Sequence, residues 1–336
     1  MTSGSRIATP ESRPHQSLGP GAEFDTIRLL MEKWGDLAAD IGDDAAVLSS
    51  AASNVHAGRQ LVVSTDACID GAHFREGWLT PREIGARAVA AALSDLAAMG
   101  ARADAVLLAF VVPALWRSRL GDVADGIAEV IRPTGARIIG GNLSQGVAFG
   151  ITTTVIGSAD RPVSRRGAKP GDRLLVTGTL GGPGAALAAW NGGGKATGWA
   201  RDRFASPEPR LAEGMRLAAA GVHAMLDISD GLAADARHLA AASGVRLRIE
   251  ASRVPAGSGV SARDALASGE EYELLIAASA EVAGLLQADW STYSSLSLTH
   301  IGDVVEQVEG GAVDIVGLAE IERRVEFVLG HDHFTT

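Results

Sequence analysis

The sequence predicts an α/β (α+β) fold, in two domains or as one large unit, on three observations. Segments rich in β-branched residues alternate with helix-like ones, which argues for layered strands and helices. A polar, basic, Pro- and Gly-punctuated stretch, ADRPVSRRGAKPGD (159–172), separates two such series as a domain connection would. With 336 residues, 46% hydrophobic and only 4% aromatic, the chain can bury a sizeable core.

Taken in order, residues 1–22 are expected to be a disordered tail, because their Ser, Pro and Gly content buries too little apolar surface to offset the entropy of ordering. The body starts near Glu23, with FDTIRLLMEKW as its first helix. LVVSTD (61–66) reads as a buried strand ending in an acid. TPREIGARAVAAALSDLAAMG is a helix with Thr80 as N-cap, Pro81 at its first position, Glu83 closing a capping box and Gly100 at its end. AVLLAFVVP (105–113), ARIIGGN (136–142) and FGITTTVIG (149–157) are strands, with LWRSRLGDVADGIAEVIRPTG as a helix among them. The first domain is therefore expected over 23–158 and the second over 159–336. In the second, DRLLVTGTLGG gives a strand and turn, GAALAAW a helix, and NGGGKATGWARDR (191–203) a glycine-rich loop flanked by Trp190 and Trp199, which suit either a lid or packing. MLDIS, RLRIE, YELLIAA and THIGDVVE read as strands, and GLAADARHLAAAS as a helix.

Charge and composition exclude several functions. A formal net charge of −10, with no clustered Lys and Arg, argues against nucleic-acid binding, so phosphorylated ligands would need metal cations. The single cysteine, Cys68, excludes an internal disulfide framework and suits a reducing compartment, with cytoplasm the expectation. No run of apolar residues is long enough to span a bilayer.

Six acids stand where charge should be unwelcome: Asp43, Asp44, Asp66, Asp95, Asp227 and Asp230. Asp95 weighs most, because AAALSDLAAM is apolar on nearly every face and a lone buried carboxylate costs several kcal/mol unless paired or metal-bound. Oxygen-only ligands point to Mg²⁺ rather than zinc. Singly, Asp43, Asp44, Asp227 and Asp230 suit turn or helix caps equally well, and Asp66 could simply end a strand. No P-loop occurs. TGTLGGPG fits neither the protein-kinase nor the dinucleotide spacing, and the glycines of IIGGN serve either phosphate approach or a tight turn. Cys68 has no adjacent His to act as base and reads as a core thiol.

Together, GDDAAVL, STDACIDGAHF, LSDLAAMGA, GGNLSQG, RRGAKPGD, LDISDGLAAD, SGEEYELL and HDHF resemble the thiamine-monophosphate kinase family, over about residues 24–334. The resemblance implies a two-domain fold of the aminoimidazole-ribonucleotide-synthetase type and a homodimer joined through N-domain strands. It implies Mg²⁺ as cofactor and ATP as co-substrate in converting thiamine monophosphate to thiamine diphosphate. Carried over position by position, it makes Asp44, Ser64, Thr65, Asp66, Asp95, Asn142, Asp227 and Asp230 a metal set. Gly141, Asn142, Arg165 and Ser229 fall at ATP; His73, Glu270 and His331 fall at the thiamine phosphate. No general base is expected, since the attacking phosphate oxygen is already anionic. The chain departs from the family pattern at Asn142, Glu271 and His331, which keeps open another phosphorylated substrate or a non-catalytic nucleotide-binding relative.

Overall fold

The computed structural model describes residues 19–34, 42–48 and 59–318. Most of the expected N-terminal tail and the HDHF segment with His331 lie outside the described residues. Two sheets organise the chain. The first has strand order β1-β2-β5-β3-β4, from β1 (Ala46–Leu48), β2 (Gln60–Ile69), β3 (Arg102–Val112), β4 (Arg137–Gln145) and β5 (Gly150–Ala159). β3 and β4 are parallel, as a helical crossover requires, and the remaining pairs are antiparallel. The second sheet has order β11-β8-β10-β6-β9-β7, from β6 (Arg173–Thr177), β7 (Ala224–Asp227), β8 (Val245–Glu250), β9 (Leu274–Ala278), β10 (Leu298–Gln307) and β11 (Ala312–Val316).

The helices are α1 (Ala22–Trp34), α2 (Pro81–Ala98), α3 (Leu120–Ile131), α4 (Gly182–Asn191), α5 (Gly198–Ala205), α6 (Leu211–Ala220), α7 (Leu232–Ser243), α8 (Ala262–Ala267) and α9 (Ala280–Tyr293). None among the described residues is long and apolar enough to cross a membrane. α6, α8, α9 and β11 lie in segments that the sequence patterns left unassigned.

α2 is the central helix. The expected capping box is present: Thr80 Oγ1 accepts from the Glu83 backbone N–H, and Glu83 Oε2 accepts from the Thr80 N–H at 2.8 Å. Two glycines from other helices let it pack on both sides. A Cβ at Gly126 of α3 would lie 1.8 Å from the Arg82 carbonyl oxygen, and one at Gly214 of α6 would lie 2.1 Å from that of Ala97. α2 therefore joins two cores. Its Leu93 packs with the first sheet, and Ala97 and Ala98 pack with Leu175, Met225 and Ile276 of the second.

The two sheets differ in how they are covered. Leu174 and Leu175, neighbours on β6, enter different cores, so the second sheet is buried on both faces. In the first sheet Val106, Leu108 and Val155 face a core, while Thr152, Val111 and Ile69 of the opposite face are exposed or half-buried. β4 is exposed at every residue.

The glycine-rich segment differs from expectation. Only its first half is a turn; Gly198 onward forms α5, because GWARDRFA has apolar residues to bury. Phe204 and Ala205 join the first core, and the Trp199 ring lies against Gly182 and Gly257. Trp190 stacks on Trp78 with ring centroids 4.8 Å apart. Both tryptophans are thus packing residues.

Candidate active site

The acids expected to hold metal come from β2, α2, β7 and the turns beside β1 and β7. On β2, Ser64 and Asp66 are two residues apart and share a face. Ser64 Oγ donates to Asp95 Oδ2 at 2.5 Å, so α2 and β2 meet through this contact. Asp227 ends β7, and its Oδ2 accepts from Ser94 Oγ at 2.6 Å. Asp44 precedes β1 in a short turn; its side chain is 1% exposed and is held by the Arg165 guanidinium through bonds of 2.8 and 3.0 Å. Neighbouring Asp43 accepts from Ser164 Oγ and the Arg165 N–H, which places the linker's start against the acids.

Asp44, Asp95 and Asp227 each bring a carboxylate oxygen within 4.8 Å of the others. Among the described residues, Arg165 is the cation bonded to this trio, and it is committed to Asp44. The electrostatic consequence is strong. Burial, then the charges of Asp227 and Asp44, hold the Asp95 carboxyl well above its ordinary pKa. Burial and Asp44 push Asp227 up to about 8. Three crowded acids with one arginine and no nitrogen or sulfur donor fit a hard divalent cation such as Mg²⁺, which would relieve the repulsion that raises both pKa values.

Asp230 follows in the turn from β7 to α7. That turn is fixed by Asp235, whose Oδ2 accepts the backbone N–H groups of Ser229, Asp230 and Gly231 at 3.0–3.1 Å. Asp235 was missed in the sequence, because an acid in the first turn of a helix ordinarily reads as a solvated complement to the helix dipole. Ser94, Arg87 and Tyr272 were also missed, because nothing local marks them.

One cleft gathers most of the expected residues. Thr65, Asp66, Asp95, Asp227 and Asp230 line it together with Arg165, Ser229, His73 and Glu270. A second cleft adjoins it. The two share His73 and Glu270, and the second is walled by Trp78, Phe204 and Leu187. His73 is held by its Nδ1, which accepts the Ile69 N–H at 3.1 Å.

Gly141 and Asn142 stand elsewhere. Gly141 closes the cross-strand row Asp66, Thr153, Leu108, Gly141, three strand spacings from Asp66, or about 14 Å. Asn142 belongs to the next row, with Ala67, Thr152 and Ala109, on the sheet face opposite Asp66, and its amide bonds Ser144 Oγ at 3.0 Å. A single chain therefore does not bring Asn142 to the acid cluster. Cys68 is buried, its thiol pushed up to about 12 chiefly by burial, as suits a core residue.

Glu271 lies outside the cleft and is 1% exposed. Its Oε1 accepts from Gly181 N–H and Ser268 Oγ at 2.5 Å each, while Oε2 has no hydrogen-bond partner. Burial raises its pKa to about 7 from 4.5. The folded protein thus keeps a proton that the unfolded chain releases, and stability falls as pH climbs from about 4.5 to 7. Glu271→Gln is expected to be neutral at pH 5 and stabilising by about 1–2 kcal/mol at pH 8, read by urea denaturation at both pH values. Equal effects at the two pH values would show that Glu271 does not titrate there.

Residues 42–159 match the family of the AIR synthase related protein, N-terminal domain, and residues 169–315 the corresponding C-terminal domain. A thiamine-monophosphate kinase of Mycobacterium tuberculosis is 37% identical over 269 residues, covering 79% of this chain and 78% of that protein. The chain belongs to the thiamine-monophosphate kinase family. A relative of the same name from Halobacterium salinarum is 34% identical, covering 87% of this chain and 97% of its own length. The structure of AaThiL complexed with AMPPCP and TMP superposes with a TM-score of 0.77 at 28% identity, covering 89% of this chain and 95% of that one. The two-domain fold is therefore that of the family, and the chain is a kinase.

Proposed function

We propose that the chain transfers the terminal phosphoryl group of ATP directly, in line, to thiamine monophosphate, giving thiamine diphosphate. The observation that carries this reading is the pair of adjoining clefts: a carboxylate cluster suited to cation-bridged phosphates on one side, an aromatic chamber on the other, and His73 and Glu270 shared between them. Such a site suits a phosphate ester whose flat organic part enters beside Trp78 and Phe204. The relatives named thiamine-monophosphate kinase and the complex with AMPPCP and TMP support the same pair of substrates.

In this reading Asp44, Asp66, Asp95, Asp227 and Asp230 would hold Mg²⁺, with Ser64 and Thr65 beside them. Bound there, Mg²⁺ would supply the positive charge that offsets the repulsion between two polyanions. The chain's own residues do the positioning. Arg165 keeps Asp44 in the cluster and Ser94 orients Asp227. The turn fixed by Asp235 presents Ser229 and Asp230, while His73 and Glu270 stand at the acceptor side. No base is needed, since the attacking phosphate oxygen carries negative charge at neutral pH.

The reading includes a homodimer. The open face of the first sheet and its fully exposed edge strand, with Ile138, Ile139 and Leu143 each more than half exposed, form an apolar surface of the kind that a second copy covers. Pairing there would also give Gly141 and Asn142 an environment that one chain lacks. Leu143→Asp is expected to shift the protein from dimer to monomer in light scattering, and an unchanged mass would place the contact elsewhere.

The deciding experiment supplies ATP, Mg²⁺ and thiamine monophosphate and reads thiamine diphosphate. ADP formed only with a different phosphorylated acceptor would favour another substrate, and no turnover with any acceptor would favour a nucleotide-binding role.

A further inference from the structure

The mechanism above leaves the buried Arg87 without a task. The Arg87 side chain on α2 is 2% exposed, so its donors must be met inside the protein. Nη1 donates to the Phe204 carbonyl oxygen at 2.5 Å, and Nη2 bonds Glu270 Oε2. Its guanidinium carbon lies 3.9 Å from the Phe204 ring centroid and 5.9 Å from that of Tyr272. Tyr272 Oη donates to the same Glu270 oxygen at 2.5 Å.

The loop that these groups hold is strained. Glu270 and Tyr272 are the non-glycine residues with positive φ among the described residues, at 62° and 53°. Each such conformation costs about 1–3 kcal/mol and persists only where the surroundings enforce it. Two backbone bonds tie the loop to the β7–α7 turn: Glu270 N–H to the Ser229 carbonyl at 2.6 Å and Tyr272 N–H to that of Ile228 at 2.8 Å. Glu271 anchors the loop on its other side, its carboxylate accepting from the Gly181 N–H and its carbonyl from Arg203 Nη2 at 2.9 Å. The Glu270 carboxylate itself is fixed by Arg87 and Tyr272, which converge on one of its oxygens.

We infer that Arg87 is a positioning residue for the acceptor substrate. It locks the Glu270 carboxylate and the Phe204 wall into one unit where the two clefts meet, and so sets affinity for the organic part of the phosphate ester. The residue touches the acceptor only through these partners. It stands eight residues, about two turns, before Asp95 on the same helix, so α2 fixes the metal-binding acid and the acceptor wall in one register. Lysine cannot reproduce this, since it lacks the planar fork that serves a carbonyl, a carboxylate and a ring face together.

The inference rests on the proposed kinase reading, and the test separates the two. Kinetics with ATP and thiamine monophosphate are compared for wild type, Arg87→Met, Arg87→Lys and the double variant Arg87→Met/Glu270→Gln, with acceptor binding measured by calorimetry and folding by thermal melts. Arg87→Met is expected to raise KM for thiamine monophosphate at least about tenfold and to leave KM for ATP within about twofold. Arg87→Lys should fall between. The double variant removes the carboxylate charge that has lost its arginine, so it should regain the melting temperature lost in the single variant while its acceptor KM stays high. A folded single or double variant with wild-type acceptor KM, or with both KM values raised equally, would overturn the inference. Wild type that makes no thiamine diphosphate would instead count against the proposed function, and the calorimetric comparison of acceptor binding would still judge Arg87.

Discussion

Asp95→Asn is expected to lower turnover at saturating ATP and acceptor by at least about a hundredfold while leaving the metal-free protein as stable as wild type or more so. The two effects have one cause. Asp95 has a carboxylate oxygen within 4.8 Å of those of Asp44 and Asp227 and is held well above its ordinary pKa by burial and by those charges. In the metal-free protein its charge is therefore a liability, and an amide of the same shape removes it while still accepting from Ser64 Oγ. In the proposed role the same charge is a metal ligand, which the amide replaces poorly. Two measurements decide: kcat against Mg²⁺ concentration, and melting temperature with chelator and with Mg²⁺. Wild type should gain stability from Mg²⁺ by mass action, and the variant should gain less. Full activity in Asp95→Asn would make this carboxylate a structural residue.

Arg165→Met is expected to act in the opposite direction on stability. Asp44 is 1% exposed and its two bonds of 2.8 and 3.0 Å go to this one guanidinium. Removing one partner of a buried pair leaves an uncompensated charge, a loss of about 3–5 kcal/mol in urea denaturation with chelator present. A divalent cation can stand in for the lost charge, so Mg²⁺ should restore more stability in the variant than it adds to wild type. The double variant Arg165→Met/Asp44→Asn should recover stability in chelator without recovering turnover, because it repairs the charge balance and removes a proposed metal ligand. Unchanged stability of the single variant would mean that the Arg165–Asp44 pair adds nothing to folding.

Much of this was legible beforehand. The capping box of α2 is local chemistry, written in TPRE, and it appears as expected. Asp95 identified itself, since a carboxylate within an apolar helix needs a partner that the helix cannot supply. The cleft then collects nine of the expected residues, from Thr65 to Glu270. Arg87 carried no comparable signal: an arginine early in a helix is usually a solvated residue, and only its burial against Phe204 and Glu270 gives it meaning. The loop expected through NGGGKATGWARDR became half helix for a similar reason, because Phe204 found a core to enter.

What the sequence determined by itself is the order of elements, the ends of the well-capped helix and the excess of acid over base near the site, since each depends on neighbours along the chain. Which acids meet was decided by the tertiary structure. Ser94 and Asp227 are 133 residues apart, and Asp44 and Arg165 are 121 apart, yet each pair makes a hydrogen bond. Strand register likewise put Asp66 and Asn142 on opposite faces of one sheet. Contacts of this kind depend on helix packing and strand pairing to within an ångström or so, and that information belongs to the assembled cores rather than to any one segment.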